Sequence, residues 1–192
     1  MLKLTKCRRS NKKLFDLIQF ENIPNVKKSD FNTTDNFDND VHVCFTNDKR
    51  KHINHIKMKQ LARKTKKYLK LPAQKYCEKS QDVFLNVNMP VISKINNDNM
   101  KIYNNQRFII SKIDKEKEII TLKYKDNNDT LNIEFNKFQK FFLPSFAMTC
   151  HCAQGLSIGE PYSIHEFHRM DQKLLYVALS RSRKYKYINI MS

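Results

Sequence analysis

Two short stretches hold side chains that can handle phosphate. Residues 147–155, AMTCHCAQG, set Thr149, His151 and Gln154 just ahead of Gly155. An apolar lead-in followed by small and polar groups reads as a strand end turning into a helix, a place where free backbone N–H groups meet phosphate or nucleic acid. Residues 174–183, LLYVALSRSR, put Arg181 and Arg183 at the close of an apolar helical run. A buried helix aims its terminal arginines. The planar guanidinium fork suits phosphate oxygens and the charge that develops in phosphoryl transfer. Plainer roles stand beside these: Arg181 and Arg183 can neutralise the carboxyl end of their helix, and His151 can be an ordinary half-buried histidine.

Other constellations are weaker. Cys150, His151 and Cys152 are adjacent, and adjacent ligands without a second pair elsewhere make poor zinc geometry, so no metal is expected. His165 and His168 stand three apart, not the four of HExxH, and receive no catalytic reading. The chain has two glycines, Gly155 and Gly159. A P-loop, GxxxxGK followed by Ser or Thr, needs two glycines at wider spacing and a lysine. The stretch from Gly155 to Pro161 supplies neither, so these residues can write no P-loop and no GxGxxG turn.

The elements that must position the phosphate-handling residues alternate in type. Residues 1–20 are a basic start followed by a helix with Leu14, Phe15, Leu17, Ile18 and Phe20 on a mixed face, and residues 29–40 are a polar loop. Residues 41–45 alternate as a short strand. Thr46, Asn47 and Asp48 stop it and cap a helix expected from Lys49 to about Lys70. This strand–cap–helix unit belongs to an α/β sheet. Short strands follow at 83–85, 90–92, 107–113, 118–124 and 131–135, with a hairpin turn at 114–117. They suggest a small β-barrel at 93–140. The α/β pattern then returns: a strand end at 146–149, a turn at 153–155, a helix from Gln172 to Ser180 and a closing strand at 186–191. The expected organisation is α/β, residues 1–92 and 141–192 forming one motor-type domain around the inserted barrel.

Composition sets outer bounds. The 192 residues are 40% hydrophobic, enough for a core, and carry a formal net charge of +17. That charge predicts attraction to polyanions, nucleic acid before an anionic membrane. The plain alternative is a lysine-rich proteome from an AT-rich genome, viral ones included, since Asn and Ile are also abundant. Five cysteines in no disulfide spacing point to a reducing interior. No apolar run is long enough to span a bilayer, and residues 1–13 lack the apolar core of a signal peptide. A soluble, intracellular protein is expected, in the cytoplasm, the nucleus or a viral replication site.

The order of AMTCHCAQGLSI and LLYVALSRSR resembles motifs V and VI of superfamily-one helicases of the RecD, Dda and Pif type, which show T-x-H-x-x-Q-G and then Y-V-A-L-S/T-R. Two further stretches are similar in the right order. Residues 4–10 resemble the entry to the second motor domain, and residues 43–54, VCFTNDKRKHIN, resemble motif IV. Asn88-Met-Pro-Val and Asn104-Asn105-Gln-Arg resemble the G-x-P-V and N-G-E-R stretches leading into a small SH3-like barrel. Asn88 and Asn105 stand where the family has glycine, and asparagine takes the left-handed conformation at modest cost. Phe45 stands where UvrD-like relatives have an arginine, so that phosphate contact is absent or supplied otherwise.

The resemblance implies a RecA-like parallel-sheet motor domain, the P-loop-NTPase type without the P-loop, carrying that barrel. It implies that Arg181 reaches the γ-phosphate across a domain cleft, with Gln154 and Gly155 beside it. Arg9 and Arg183 would be further cleft residues, Thr149 and His151 would lie close to the single strand, and Thr46 and Asn47 would meet nucleic acid or nucleotide. ATP with Mg²⁺ would then sit only at an interface with a P-loop domain lying before residue 1 or on a separate chain. The chain would be a half-motor that does not hydrolyse ATP alone. The alternatives are a nucleic-acid-binding module that has lost motor activity, and a degenerate remnant.

Overall fold

The computed structural model of the chain describes residues 10–19, 21–35, 37–75, 80–125, 127 and 129–191. They divide into two compact units, one within 1–50 and 147–192, the other within 51–146.

The first unit is built on a five-stranded sheet. Its strands are β1 (Asn32–Thr34), β2 (Val41–Cys44), β10 (Ala147–Thr149), β11 (Tyr162–Ile164) and β12 (Ile188–Met191), in the spatial order β1-β12-β11-β2-β10. Every pairing is parallel, with Thr149 beside Cys44 and Ile164 beside Val43. Parallel strands covered on both faces read as continuous apolar runs rather than alternating ones. Accordingly β2, β10 and β11 are buried at every residue. Helices α1 (Lys12–Leu17), α4 (Cys150–Ala153) and α5 (Gln172–Leu179) belong to this unit. Leu14 of α1 and Leu175, Ala178 and Leu179 of α5 join Val43, Met148, Ile164 and Ile190 in one core. Each of the larger side chains there, Val, Leu, Ile or Met, contributes roughly 1.5–3 kcal/mol by leaving water. Asp171 starts α5 by accepting the Leu174 N–H at 2.8 Å, and the buried Tyr162 hydroxyl donates to the Ala178 carbonyl at 2.7 Å. An α/β fold with a parallel sheet is therefore present, as the alternation of elements implied.

Helix α2 (Asn47–Thr65) follows β2. It stops short of the expected Lys70 because Lys66 turns left-handed at φ 55°. The second unit contains a two-stranded antiparallel pair, β3 (Leu69–Leu71) and β4 (Val83–Leu85). It also contains an antiparallel sheet ordered β8 (Thr130–Glu134), β7 (Ile119–Tyr124), β6 (Arg107–Asp114), β5 (Pro90–Ser93), β9 (Phe142–Pro144). Leu85, Val91, Phe108, Ile110, Ile120, Leu122 and Phe142 form its core. Asn88 and Asn105 sit at φ 66° and 65°, so asparagine does occupy left-handed positions where the resembled family has glycine.

The closed barrel expected at 93–140 is not found: the sheet is open between β8 and β9. The chain leaves β8 as helix α3 (Phe135–Phe141), whose Phe138 is fully buried, so a helix rather than a ladder joins the two edge strands. The unit also reaches beyond 93–140, because β5 and β9 pair with each other and β5 with β6. Among the described residues no helix is long and apolar enough to cross a membrane.

Candidate nucleotide and nucleic-acid site

In a parallel sheet, ligands collect at the carboxyl ends of the strands, where neighbouring strands send their connections to opposite sides. Here that point lies between β2 and β11: β2 leads on to β10 on one flank, and β11 leads through α5 to β12 on the other.

Thr46 closes β2 and caps α2, its hydroxyl accepting the Lys49 N–H at 3.2 Å. Glu166, two residues beyond β11, holds it in place. The Glu166 carboxylate accepts the Thr46 N–H at 2.9 Å and the Thr46 hydroxyl at 3.0 Å, and pairs with Arg169 at 2.9 Å. Glu166 does this from a left-handed backbone, φ 55°. The Arg169 guanidinium in turn lies 5.0 Å from the centre of the Phe45 ring. A guanidinium thus stands at Phe45 from another part of the chain. The exposed Asn47 accepts from Arg50 Nε through its side-chain oxygen, at 3.2 Å. Beside Glu166 lies a cavity of about 250 Å³ lined by Lys28, Lys49, Phe167 and His168.

Thr149 ends β10 and caps the short α4, accepting the Cys152 N–H at 3.4 Å, and is itself buried. Its hydroxyl is therefore committed to the turn. His151 and Gln154 are exposed. Gly155 follows at φ 86°, a conformation that favours glycine, with open space where a Cβ would stand. Arg181 is 7% exposed. Its guanidinium donates to the Val177 carbonyl at 2.8 Å, the Leu156 carbonyl at 3.2 Å and the Ser180 hydroxyl at 2.7 Å. The Ile158 N–H donates to the Arg181 carbonyl at 2.8 Å, and Ile158 and Ser182 form a parallel bridge. The 154–158 loop and the Arg181 turn are thereby fastened together. Arg183 is exposed, and Arg9 lies outside the described residues.

Of the sequence-predicted residues, Arg181 is bonded to the loop that continues from Gln154 and Gly155, and Thr46 and Asn47 stand together at the start of α2. Sequence reasoning missed Glu166 and Arg169, which follow a three-residue strand with no motif around it. His165, which received no catalytic reading, directly follows β11. That side chain is fully buried, its Nε2 3.0 Å from His42 Nδ1 and its ring stacked on Phe37. Burial first, then His42 and Lys49, push the His165 pKa down from 6.5 to about 3.

No protein-family model matches the chain, and no curated protein does. Solved structures do share its fold. Bacteroides Pif1 bound to ssDNA matches with a TM-score of 0.71 at 20% identity, over 98% of this chain and 51% of that one. Bacteroides Pif1 helicase in complex with ADP-AlF3 and ssDNA matches with a TM-score of 0.69 at 22% identity, over 98% and 51%. Pif1 helicase from Candida albicans matches with a TM-score of 0.67 at 10% identity, over 95% and 53%. The chain spans about half the length of each. At these identities the likeness is one of fold, and the fold it shares is that of helicase structures.

Proposed function

We propose that this chain is the second, carboxy-terminal motor domain of an ATP-dependent DNA helicase of superfamily one, acting with a P-loop domain that these residues do not supply. The observation that carries the reading is the fastening of Arg181 to the 154–158 loop at the carboxyl side of a parallel sheet. It couples an arginine suited to phosphoryl transfer to a segment suited to a nucleic-acid strand. The net charge of +17 supports a polyanionic partner, and single-stranded DNA is bound in two of the similar structures.

ATP and Mg²⁺ do not fit this chain alone. Its two glycines form no phosphate cradle, and the Arg181 guanidinium is turned onto its own backbone. In this reading Arg181 and Gln154 face the nucleotide, with Gly155, Arg183 and Arg9 near it, and Thr46, Asn47, Thr149 and His151 line the strand. Mixing the chain with a P-loop domain encoded in the same genome tests the assembly: DNA-stimulated ATP hydrolysis is expected of the mixture and of neither part. Hydrolysis that never exceeds the P-loop domain's own rate sinks the proposal.

The buried, fully engaged Arg181 favours one second reading, a nucleic-acid-binding module without motor activity. That reading expects oligonucleotide binding and no ATPase with any partner.

A further inference from the structure

The second unit carries a feature that the motor reading leaves unused. A cleft of about 630 Å³ lies where the end of α2 meets the β6–β7 hairpin. Lys66, Lys67 and Tyr68 line one wall; Lys112 and Lys115 line the other. Tyr68 is 47% exposed, a large aromatic ring left in water. Its orientation is nevertheless fixed. The ring meets Phe84 edge-on, centres 5.6 Å apart, and Phe84 meets His55 the same way at 5.7 Å. Backbone on either side of the ring is also held. Lys66 turns left-handed while its N–H donates to the Ala62 carbonyl, the Thr65 hydroxyl donates to Asn86 at 2.6 Å, and Leu69 pairs with Leu85 in the β3–β4 ladder.

The charge of the cleft is arranged around that ring. Of its two carboxylates, Asp114 is taken up by Lys112 at 3.3 Å and by the Lys117 N–H at 3.1 Å. Lys66, Lys67 and Lys115 make no salt bridge to a described residue. A held aromatic face in a cationic cleft is the arrangement that binds unpaired nucleic acid: bases stack on the ring, and phosphates meet the lysines. An anionic lipid surface would use the charge but leave the oriented ring without a stacking partner, and a peptide would need acidic and stacking side chains together, where every nucleotide carries both a phosphate and a π-face.

The geometry points to a second single-strand contact on this unit, with Tyr68 as the base-stacking platform and Lys66, Lys67 and Lys115 as phosphate contacts. It rests on the reading of the chain as a binder of single-stranded DNA, and it assigns part of that binding to residues of the second unit. Such a contact is tolerant of sequence, because every base has a π-face.

The test is the affinity of the full chain for dye-labelled oligothymidylate, read by anisotropy. Tyr68→Ala is expected to weaken binding about tenfold, while Tyr68→Phe keeps it, with unchanged thermal melts. Lys66→Ala with Lys67→Ala is expected to make the salt slope of log K shallower by about 1.4. Iodouracil-substituted oligonucleotide is expected to crosslink at Tyr68, and blunt duplex binding is expected to ignore Tyr68→Ala. If the wild-type chain binds no oligothymidylate, this proposal and the motor reading both fall. If it binds and Tyr68→Ala leaves affinity and crosslink unchanged, or weakens duplex equally, the platform alone is overturned.

Discussion

Arg181 donates from Nη1 to the carbonyl of Leu156, 3.2 Å away, and so ties the arginine of one candidate motif to the residue that follows Gly155 in the other. The same guanidinium reaches Val177 and Ser180, so all three of its nitrogens are engaged within the domain. An arginine so placed both sets the loop and is held in reserve. To meet a phosphate it must exchange at least one of these hydrogen bonds for a stronger, charge-assisted one.

Arg181→Ala is expected to cost about 1–3 kcal/mol, because two part-buried carbonyls and the buried Ser180 hydroxyl lose a charged donor. Arg181→Lys recovers part of this, since a single ammonium cannot span the three acceptors as the planar fork does. Urea denaturation of the three proteins measures it. Equal midpoints would mean that Leu156 is held by something other than the guanidinium.

Glu166 is expected to matter for the same kind of reason. Removing its carboxylate strips partners from the Thr46 N–H and hydroxyl and from Arg169 at once. Glu166→Ala should destabilise by about 1–3 kcal/mol, and Thr46→Ala by about 1 kcal/mol through loss of the α2 cap. The double variant should lose less than the sum, since both remove one interaction. A fully additive double-mutant cycle would contradict the clamp.

Acid should weaken the fold through His165. Its pKa is pushed down from 6.5 to about 3 by burial, His42 and Lys49. The unfolded chain therefore takes up a proton that the folded chain refuses. Stability is unaffected above pH 6.5 and falls as the pH drops from there towards 3, by about 1.4 kcal/mol per unit at most. Between pH 7 and pH 5 the loss should be about 2 kcal/mol. In His165→Asn that part of the slope should vanish. A urea midpoint in His165→Asn that falls as steeply as in the wild type would rule the assignment out.

Gly155→Ala should cost about 1 kcal/mol from backbone alone. Its φ of 86° is the reason, for an added Cβ meets nothing within 4 Å. Gly155→Asn should cost less. If the alanine variant melts with the wild type, the loop relaxes and the turn is not fixed.

The parts legible in the sequence were those with a long period or a paired motif. The apolar face of α5 and the cap at Thr46 follow from spacing, and Asn88 and Asn105 from their place in the resembled motifs. Strand β11 was not legible. Three residues between Pro161 and His165 give no alternation to read, although burial on both faces makes Tyr162, Ser163 and Ile164 central to the sheet. Missing β11 hid Glu166 and Arg169 with it, because a clamp between strand ends depends on strand order rather than on local pattern. Helix α3 has no such signal: the alternation of Leu131, Ile133 and Phe135 marks strand β8, and only the further spacing to Phe138 points to the turn into helix that leaves the sheet open.

The half-motor is tested most directly by the DNA-stimulated ATPase of a P-loop domain reconstituted with this chain, wild type against Arg181→Ala, with oligonucleotide binding measured on the same samples. A half-motor that supplies Arg181 to a shared site gives activity with the wild type and loses it with Arg181→Ala, while binding to single-stranded DNA changes little. Equal ATPase with both chains, or DNA-dependent hydrolysis by this chain alone, would contradict it.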